Sequence, residues 1–336
     1  MSRYASAHAN PQGVGDSRPT ALQIVQDNDL VGRLSGKVAF ITGVSSGIGI
    51  STALALKATG MRVIGLVRDL PKATSALQHD LEPGHLELLE LDLNSLASVR
   101  ACASEILSKT TTLNLFIANA GIMMPPPGKT ADGFERQLGT NHLSHFLLFQ
   151  LLSPLLLASA TPSYPSRVIT LSSVGHRFAG INWDDLNFEK EYDPMAAYAQ
   201  SKLAAIYTAS EIERRYGARH LHAWSVMPGG IWTGLQSDMP AAVKQAWEEN
   251  KEFQKYWKSA DQGAATTVWA ALSSEVEDMG GRYLEDCAVA GPAAKPTVAL
   301  EDMAAPGYAE WAYDEEKERK LWEVSCEMVG MKDVAV

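Results

Sequence analysis

Lys37-Val38-Ala39-Phe40-Ile41-Thr42-Gly43-Val44-Ser45-Ser46-Gly47-Ile48-Gly49 joins an apolar run, a glycine turn and the start of a helical pattern. The run from Lys37 to Thr42 is almost wholly apolar, which predicts a strand covered on both faces, as in a parallel sheet. Beyond the glycines, Ala53, Leu54, Leu56 and Ala58 continue as a helix. Strand, glycine turn and helix in this order let backbone approach a pyrophosphate closely, while the helix N-terminus offers free N–H groups and the positive end of its dipole. The first two glycines stand one residue further apart than in the usual dinucleotide fingerprint. Taken alone, the turn is a weak signal.

Short apolar runs and longer helical patterns alternate outward from this stretch, the signature of a parallel sheet with crossover helices. Strands are predicted at Met61–Val67, ending at Arg68-Asp69; His85–Leu91, ending at Asp92; and Leu113–Ala118, ending at Asn119-Ala120-Gly121. Two more, Arg167–Leu171 and His220–Met227, end at Ser172-Ser173 and Pro228-Gly229-Gly230. These residues fall at C-terminal strand ends, where open α/β sheets bind their ligands. Helical patterns cover Phe134–Ala160, with Asn141 in its first half, and Pro194–Tyr216; a last short strand is read at Gly281–Leu284. The fold class is α/β with helices on both sheet faces. One domain is expected over 35–303, with a lid at about 232–260. Residues 1–34 form an N-terminal extension, rich in Ser, Ala, Asn, Pro and Gly up to Thr20, which is expected to be partly disordered and lacks the apolar core of a secretory signal. Residues 304–336 form a C-terminal helical extension whose Trp311, Leu321, Trp322 and Met328 pack on the core or rim a pocket.

The chain has 336 residues, 46% hydrophobic and 20% charged, with a net charge of −10 and a pI near 5.3. That balance argues against nucleic acid or an anionic membrane as partner. Cys102, Cys287 and Cys326 are far apart and odd in number, which points to free thiols in a reducing, cytoplasmic setting. No His or carboxylate cluster has metal-ligand spacing. The longest apolar run, Phe146–Ala160, is interrupted by Gln150, Ser153 and Pro154 and falls short of the roughly 20 residues a bilayer asks for; it reads as a core helix or a subunit interface, and a homodimer is expected.

Tyr198 and Lys202 share one helix face at i and i+4. An ammonium beside a phenol favours the phenolate and brings it toward the range useful for proton transfer. Any amphipathic helix can carry this pair, so its meaning comes from its company. Thr42-Gly43-(three residues)-Gly47-Ile48-Gly49, Asn119-Ala120-Gly121, Asn141, Ser172-Ser173, Tyr198-(three residues)-Lys202 and Pro228-Gly229 stand in one ordered series over about Gly36 to Leu284. In that series the chain resembles the short-chain dehydrogenase/reductase family in its single-domain branch. The stretches Thr140 to Phe146, Asn182 to Asn187 and Tyr198 to Ala204 look like the retinol-dehydrogenase and WW-domain-oxidoreductase-like subgroup, and are similar to fungal natural-product reductases. Ser144 and Met227 depart from that subgroup's usual glycine and histidine.

The resemblance implies a Rossmann-type doubly wound sheet of seven strands and a hydride-transfer site. It places Gly43, Gly47 and Gly49 against a cofactor pyrophosphate, Asp92 on the adenine amine and Asn119 as a brace beneath the nicotinamide. Further cofactor contacts fall on Ser45, Ser46, Ile48, Leu93, Ala120, Gly121, Pro228, Gly229, Ile231 and Thr233. Ser173 would hydrogen-bond the substrate carbonyl oxygen, Tyr198 would exchange its proton, Lys202 would lower the tyrosine pKa and hold the nicotinamide ribose, and Asn141 would place a relay water. Ser172 is the neighbour on the other strand face. At the end of the second strand, Val67 stands where NAD enzymes usually carry an acid and is followed by Arg68, suited to a 2′-phosphate. NADP is therefore favoured over NAD, with Arg68 as a plain turn residue the competing reading; Ser46, where NADP enzymes often have a basic residue, argues for the latter.

The implied substrate is a hydrophobic ketone, aldehyde or secondary alcohol, in secondary metabolism. Trp232, Trp247, Phe253, Tyr256 and Trp257 either line an apolar lid or bury a helix stripe. His176, Arg177 and Phe178 are within reach of the same pocket. Two other classes compete: a non-catalytic nucleotide-binding regulator, which has no use for a proton relay, and a sugar-nucleotide epimerase or dehydratase, which usually has a different glycine loop and a larger C-terminal domain.

Overall fold

The computed structural model describes residues 2–295 and 300–333. Strands β1 (Val38–Thr42), β2 (Arg62–Val67), β3 (Leu86–Glu90), β4 (Leu115–Ala118), β5 (Ser166–Leu171), β6 (Leu221–Met227), β7 (Tyr283–Glu285) and β8 (Ala288–Val289) form one sheet. Their order is β3-β2-β1-β4-β5-β6-β7-β8, parallel except for the antiparallel β7–β8 pair. The chain winds outward from β1 to β3, then returns to lay β4 on the other side of β1. That reversal opens a crevice at the C-terminal ends of β1 and β4, the switch point where such sheets bind ligands.

The helices are α1 (Ala5–His8), α2 (Ala21–Asp27), α3 (Ile48–Ala58), α4 (Leu70–Ala76), α5 (Leu96–Lys109) and α6 (Ser144–Ser159). They continue with α7 (Pro194–Tyr216), α8 (Ala241–Glu249), α9 (Lys251–Gln254), α10 (Ala260–Gly263), α11 (Ala265–Leu272) and α12 (Glu315–Met328). One core layer sets Phe40, Phe116 and Val168 against α5, α6 and α12. The other sets Ile41, Ile117 and Trp224 against α2, α3 and α11. β1 and β5 are buried along their whole length, as the unbroken apolar runs predict.

Three sequence expectations change. The sheet has eight strands rather than seven, because β8 pairs with β7 through Asp286-Cys287, both at φ 53°, the backbone of a tight two-residue hairpin turn. A strand of two residues is too short to show alternation.

The N-terminal extension is ordered from Ser2 onward. Thr20 caps α2 by accepting from the Gln23 N–H, and Ala21, Ile24 and Val25 are buried at helical spacing. Tyr4 and Arg18 are buried as well. These contacts outweigh a composition typical of loose chain.

The apolar helix is longer than the sequence run. A π-helical turn over Leu138–Leu143 leads straight into α6, giving 22 residues, Leu138–Ser159, long and apolar enough to cross a membrane. Of its most apolar window 67% is buried inside the fold, so it is a core helix. Its outer face is covered by α12 of the same chain: Trp322 lies edge-on to Phe146 and Phe149 at 4.9 and 6.1 Å, and His142 bonds Ser325 at 2.7 Å. The burial that suggested a second subunit is thus supplied within one chain.

Candidate active site

A cleft of about 1350 Å³ opens at the C-terminal strand ends. It is lined by Gly43, Ser45, Ser46, Gly47, Ile48, Gly49, Arg68, Asp92, Leu93, Asn119, Ala120 and Gly121, and also by Ser173, Tyr198, Lys202, Pro228, Gly229, Ile231 and Thr233. Of the residues singled out from sequence for catalysis or cofactor contact, Asn141 alone is missing from this lining.

The turn after β1 admits only glycine where it matters. Gly43 has φ 78°, and a Cβ there would lie 2.9 Å from that of Ala120. Gly47 has φ 59°, with Thr233 Cγ2 2.8 Å from such a Cβ, while a side chain at Gly49 would strike the Gly43 carbonyl. Bare backbone therefore faces the cleft, and the N-terminus of α3 carries no side-chain cap; its first N–H groups are open to an anion. Asn119 donates to the Thr42 carbonyl at 2.8 Å, tying β1 to β4, and its buried Oδ1 has no partner. Arg68, exposed at the end of β2, makes none of the chain's ion pairs among the described residues. This set fits the nicotinamide dinucleotide that the resemblance implies.

At the other end of the cleft, α7 starts on Pro194 after Asp193, whose carboxylate accepts from the Met195 and Ala196 N–H groups. The helix is locked to β5 by the Ser172 hydroxyl, which donates to the Lys202 carbonyl at 2.8 Å. Ser172 is thus structural, as expected of the residue on the far strand face. Ser173 Oγ accepts from the Gly175 N–H at 3.0 Å, which leaves its own proton to give. The Tyr198 ring packs on Gly175, where a Cβ would come within 2.7 Å of it. Lys202 donates to the Leu171 carbonyl at 3.0 Å, and its Nζ lies 5.6 Å from the Tyr198 ring centre.

The electrostatics differ from the sequence expectation in one respect. Burial pushes the Tyr198 phenol up to about 12, against the smaller lowering effect of the Ser173 hydroxyl. Burial also lowers Lys202 to about 8. Desolvation disfavours the charged form of both groups, and its net effect here raises the tyrosine rather than lowering it. The phenol is held protonated.

Asn141 lies one layer behind the cleft wall, in the π-helical turn, a feature often found at functional sites. Its amide bonds both the N–H and the carbonyl of Ile122, at 2.8 and 3.0 Å, and the Ser201 hydroxyl at 3.0 Å. Its carbonyl meets the His145 ring at 3.0 Å. The side-chain bonds tie the Gly121–Ile122 segment, which follows β4, to α7. His145, which the sequence reading missed, also bonds Thr42 Oγ at 2.8 Å; burial lowers it to about 4 and keeps it neutral.

Four of the five expected aromatics, Trp247, Phe253, Tyr256 and Trp257, line the cleft. Trp232 stands outside, stacked on Trp257 at 4.6 Å and 2°. Trp247 and Trp257 are buried in one cluster with Tyr198, Met123 and Met239, so the two readings of this stripe merge: the rings pack on one another and wall the cleft together. His176 and Arg177 do not line it. The His176 ring donates to the Ser173 carbonyl and accepts from the Ala309 N–H, and Arg177 donates to the Ala305 carbonyl. They strap down the chain before α12, whose Met303–Pro306 rim the cleft.

A polar cluster at the end of β7 was also missed. Lys258, almost fully buried, bonds Asp286 at 2.6 Å and the Pro228 carbonyl at 3.3 Å, and His8 Nδ1 lies 3.1 Å from Asp286. Burial works against the Asp286 charge, yet the Lys258 ammonium holds its carboxyl well below the usual range. Burial and the Asp286 charge push Glu285 up to about 7. Residues 8, 258 and 286 are too far apart in sequence for spacing to reveal them.

The short chain dehydrogenase family model matches residues 37–244. A Penicillium roqueforti protein named short-chain dehydrogenase/reductase prx1 is 48% identical over 98% of this chain and 96% of its own length. Human retinol dehydrogenase 14 is 39% identical over 89% of this chain and 88% of its own. Among solved structures, a putative uncharacterized protein from Mycobacterium paratuberculosis superposes with a TM-score of 0.68 at 32% identity, covering 91% of this chain and 97% of that one. With its glycine turn, parallel sheet and Tyr198/Lys202 cleft, the chain belongs to the short-chain dehydrogenase/reductase family and is an oxidoreductase.

Proposed function

We propose that the protein is an NADPH-dependent reductase of a hydrophobic ketone or aldehyde, working in reverse on the secondary or primary alcohol. The observation that carries this reading is the buried Tyr198 phenol in the same cleft as Ser173 and the glycine turn; burial there favours its protonated form. When bound, the cofactor supplies the hydride. Gly43, Gly47, Gly49 and the α3 N-terminus hold its pyrophosphate, with Arg68 on the 2′-phosphate and Asp92 on the adenine. As negative charge grows on the substrate oxygen, Ser173 donates a hydrogen bond to it and Tyr198 gives up its proton. The Lys202 ammonium stabilises the phenolate left behind. Asn141 is assigned a bracing role in place of the water relay.

Met123, Met195, Trp247, Phe253 and Met303 on the cleft wall favour an apolar substrate, as does similarity to a protein named for retinol. The place in secondary metabolism rests on the resemblance to fungal natural-product reductases. The cytoplasmic assignment rests on three buried free thiols. NADPH oxidation with a panel of apolar ketones and aldehydes tests the whole reading; no turnover above background with any of them overturns it.

Two further outcomes are expected. Arg68→Ala raises KM for NADPH by about 10- to 100-fold, the size of a lost charge-assisted bond of roughly 1.5–3 kcal/mol, and leaves KM for NADH nearly unchanged. Equal effects on both cofactors would remove Arg68 from the 2′-phosphate. The pH profile has a sign as well. Lys202 is lowered to about 8, so its ammonium is present below that pH and lost as pH rises through it, while Tyr198, raised to about 12, stays protonated. Reduction measured as kcat/KM should fall above about pH 8; a flat profile from about 7 to 9.5 excludes the ammonium's role.

A further inference from the structure

Residues 2–36 precede the family match, which begins at residue 37, yet part of this segment reaches the cleft. Arg18 is 4% exposed. Its Nη1 donates to the Tyr256 carbonyl at 3.0 Å. Its Nη2 reaches the carbonyls of Trp257 at 2.6 Å, Gly13 at 3.0 Å and Lys255 at 3.4 Å. Its Nε bonds Asp16 at 2.8 Å. Lys255, Tyr256 and Trp257 directly follow α9, so their carbonyls lie beyond the helix's own hydrogen-bonded turn and find their partner in the guanidinium. A guanidinium is the side chain whose planar fork spans several such acceptors at once.

The arginine is itself fixed. The Gln262 side chain, 2% exposed, donates to the carbonyls of Asp16 and Arg18 at 3.1 and 3.2 Å and accepts from the Gly15 N–H at 3.0 Å. Beyond the clamp, the Trp257 ring walls the cleft against Trp247 and Phe253. The next residue, Lys258, donates its N–H to the Gly230 carbonyl at 2.8 Å and carries its ammonium to Asp286. That aromatic wall is thus tied to a segment that precedes the family match, through one buried cation.

We propose that Arg18 is a positioning residue for the substrate pocket, holding the carbonyl end of the 241–257 lid so that Trp257 and Phe253 shape the space in front of Tyr198. This rests on the reductase reading for its kinetic consequence but not for its structural one. Two readouts in the full-length protein separate them. In Arg18→Met, amide hydrogen exchange over 251–258 should quicken by at least about tenfold while β1, β4 and β5 stay protected. KM for the carbonyl substrate should rise by about tenfold or more with KM for NADPH within about twofold. Arg18→Lys, with a single ammonium for several carbonyls, should fall between wild type and Arg18→Met on both.

Unchanged exchange over 251–258 overturns the proposal. So does a parallel loss of substrate and NADPH affinity together with a lowered melting temperature in both variants, since that is what a purely global stabiliser would give. The exchange readout needs no turnover. A wild-type protein that reduces no carbonyl removes the proposed function, and faster lid exchange in Arg18→Met then still upholds the clamp.

Discussion

Tyr198→Phe should abolish carbonyl reduction, lowering kcat by about 10²–10⁴-fold, the range a positioned proton donor contributes, while the fold and NADPH affinity persist. The phenol is buried at the cleft wall with its ring against Gly175, and a phenylalanine ring fills the same space. The substitution therefore removes one oxygen and little else. What is lost is the acid that meets the developing alkoxide; the Ser173 hydroxyl remains as a hydrogen-bond donor but is too weak an acid to replace it. Initial rates of NADPH oxidation, with cofactor affinity and melting temperature measured alongside, give the comparison. Activity within about tenfold of wild type would mean that the proton comes from elsewhere, with Glu285, pushed up to about 7 in the same cleft, the first group to replace next.

Trp322→Ala should cost about 3–5 kcal/mol of stability, the range for removing a large buried aromatic. Its ring is 3% exposed, lies edge-on to Phe146 and Phe149, and carries the Arg215 guanidinium 4.5 Å from its centre. Its indole N–H donates to Asp333 at 3.1 Å, and Asp333 also pairs with Arg215 at 2.7 Å. One substitution removes the packing, the cation–π contact and that hydrogen bond together. Urea unfolding with an unchanged m-value checks it. A loss under about 1 kcal/mol would show that α12 docks by its other residues.

What could be read in advance divides along physical lines. The β1 turn was legible because its requirements are local: two-sided burial writes a continuous apolar run, and close backbone approach leaves only glycine at Gly43, Gly47 and Gly49. Ser172 and Ser173 were separable because side chains alternate across a strand. Tyr198 and Lys202 were legible as a pair because i and i+4 share a face. The direction of the Tyr198 shift was not legible, because it depends on burial beneath a lid contributed by Trp247 and Trp257, some fifty residues on. Arg18 escaped notice for the same reason: the lid carbonyls it gathers lie more than 230 residues away. The engagement of Asn141 with Ile122 and His145 was not legible either, because it is set by a π-helical turn that no periodicity announces.

The covering of α6 by α12 has a consequence for how the chain is made. Phe146 and Phe149 leave the ribosome well before Trp322, a lag of about 10–35 s at synthesis rates of roughly 5–20 residues per second. Through that interval the outer face of this long apolar helix has no cover of its own, and exposed surface of this kind makes nascent chains aggregation-prone. A chain truncated before Glu315 would keep that face open permanently: such a fragment retains Tyr198, Lys202 and the glycine turn, but emerges as a client of chaperones rather than a smaller enzyme.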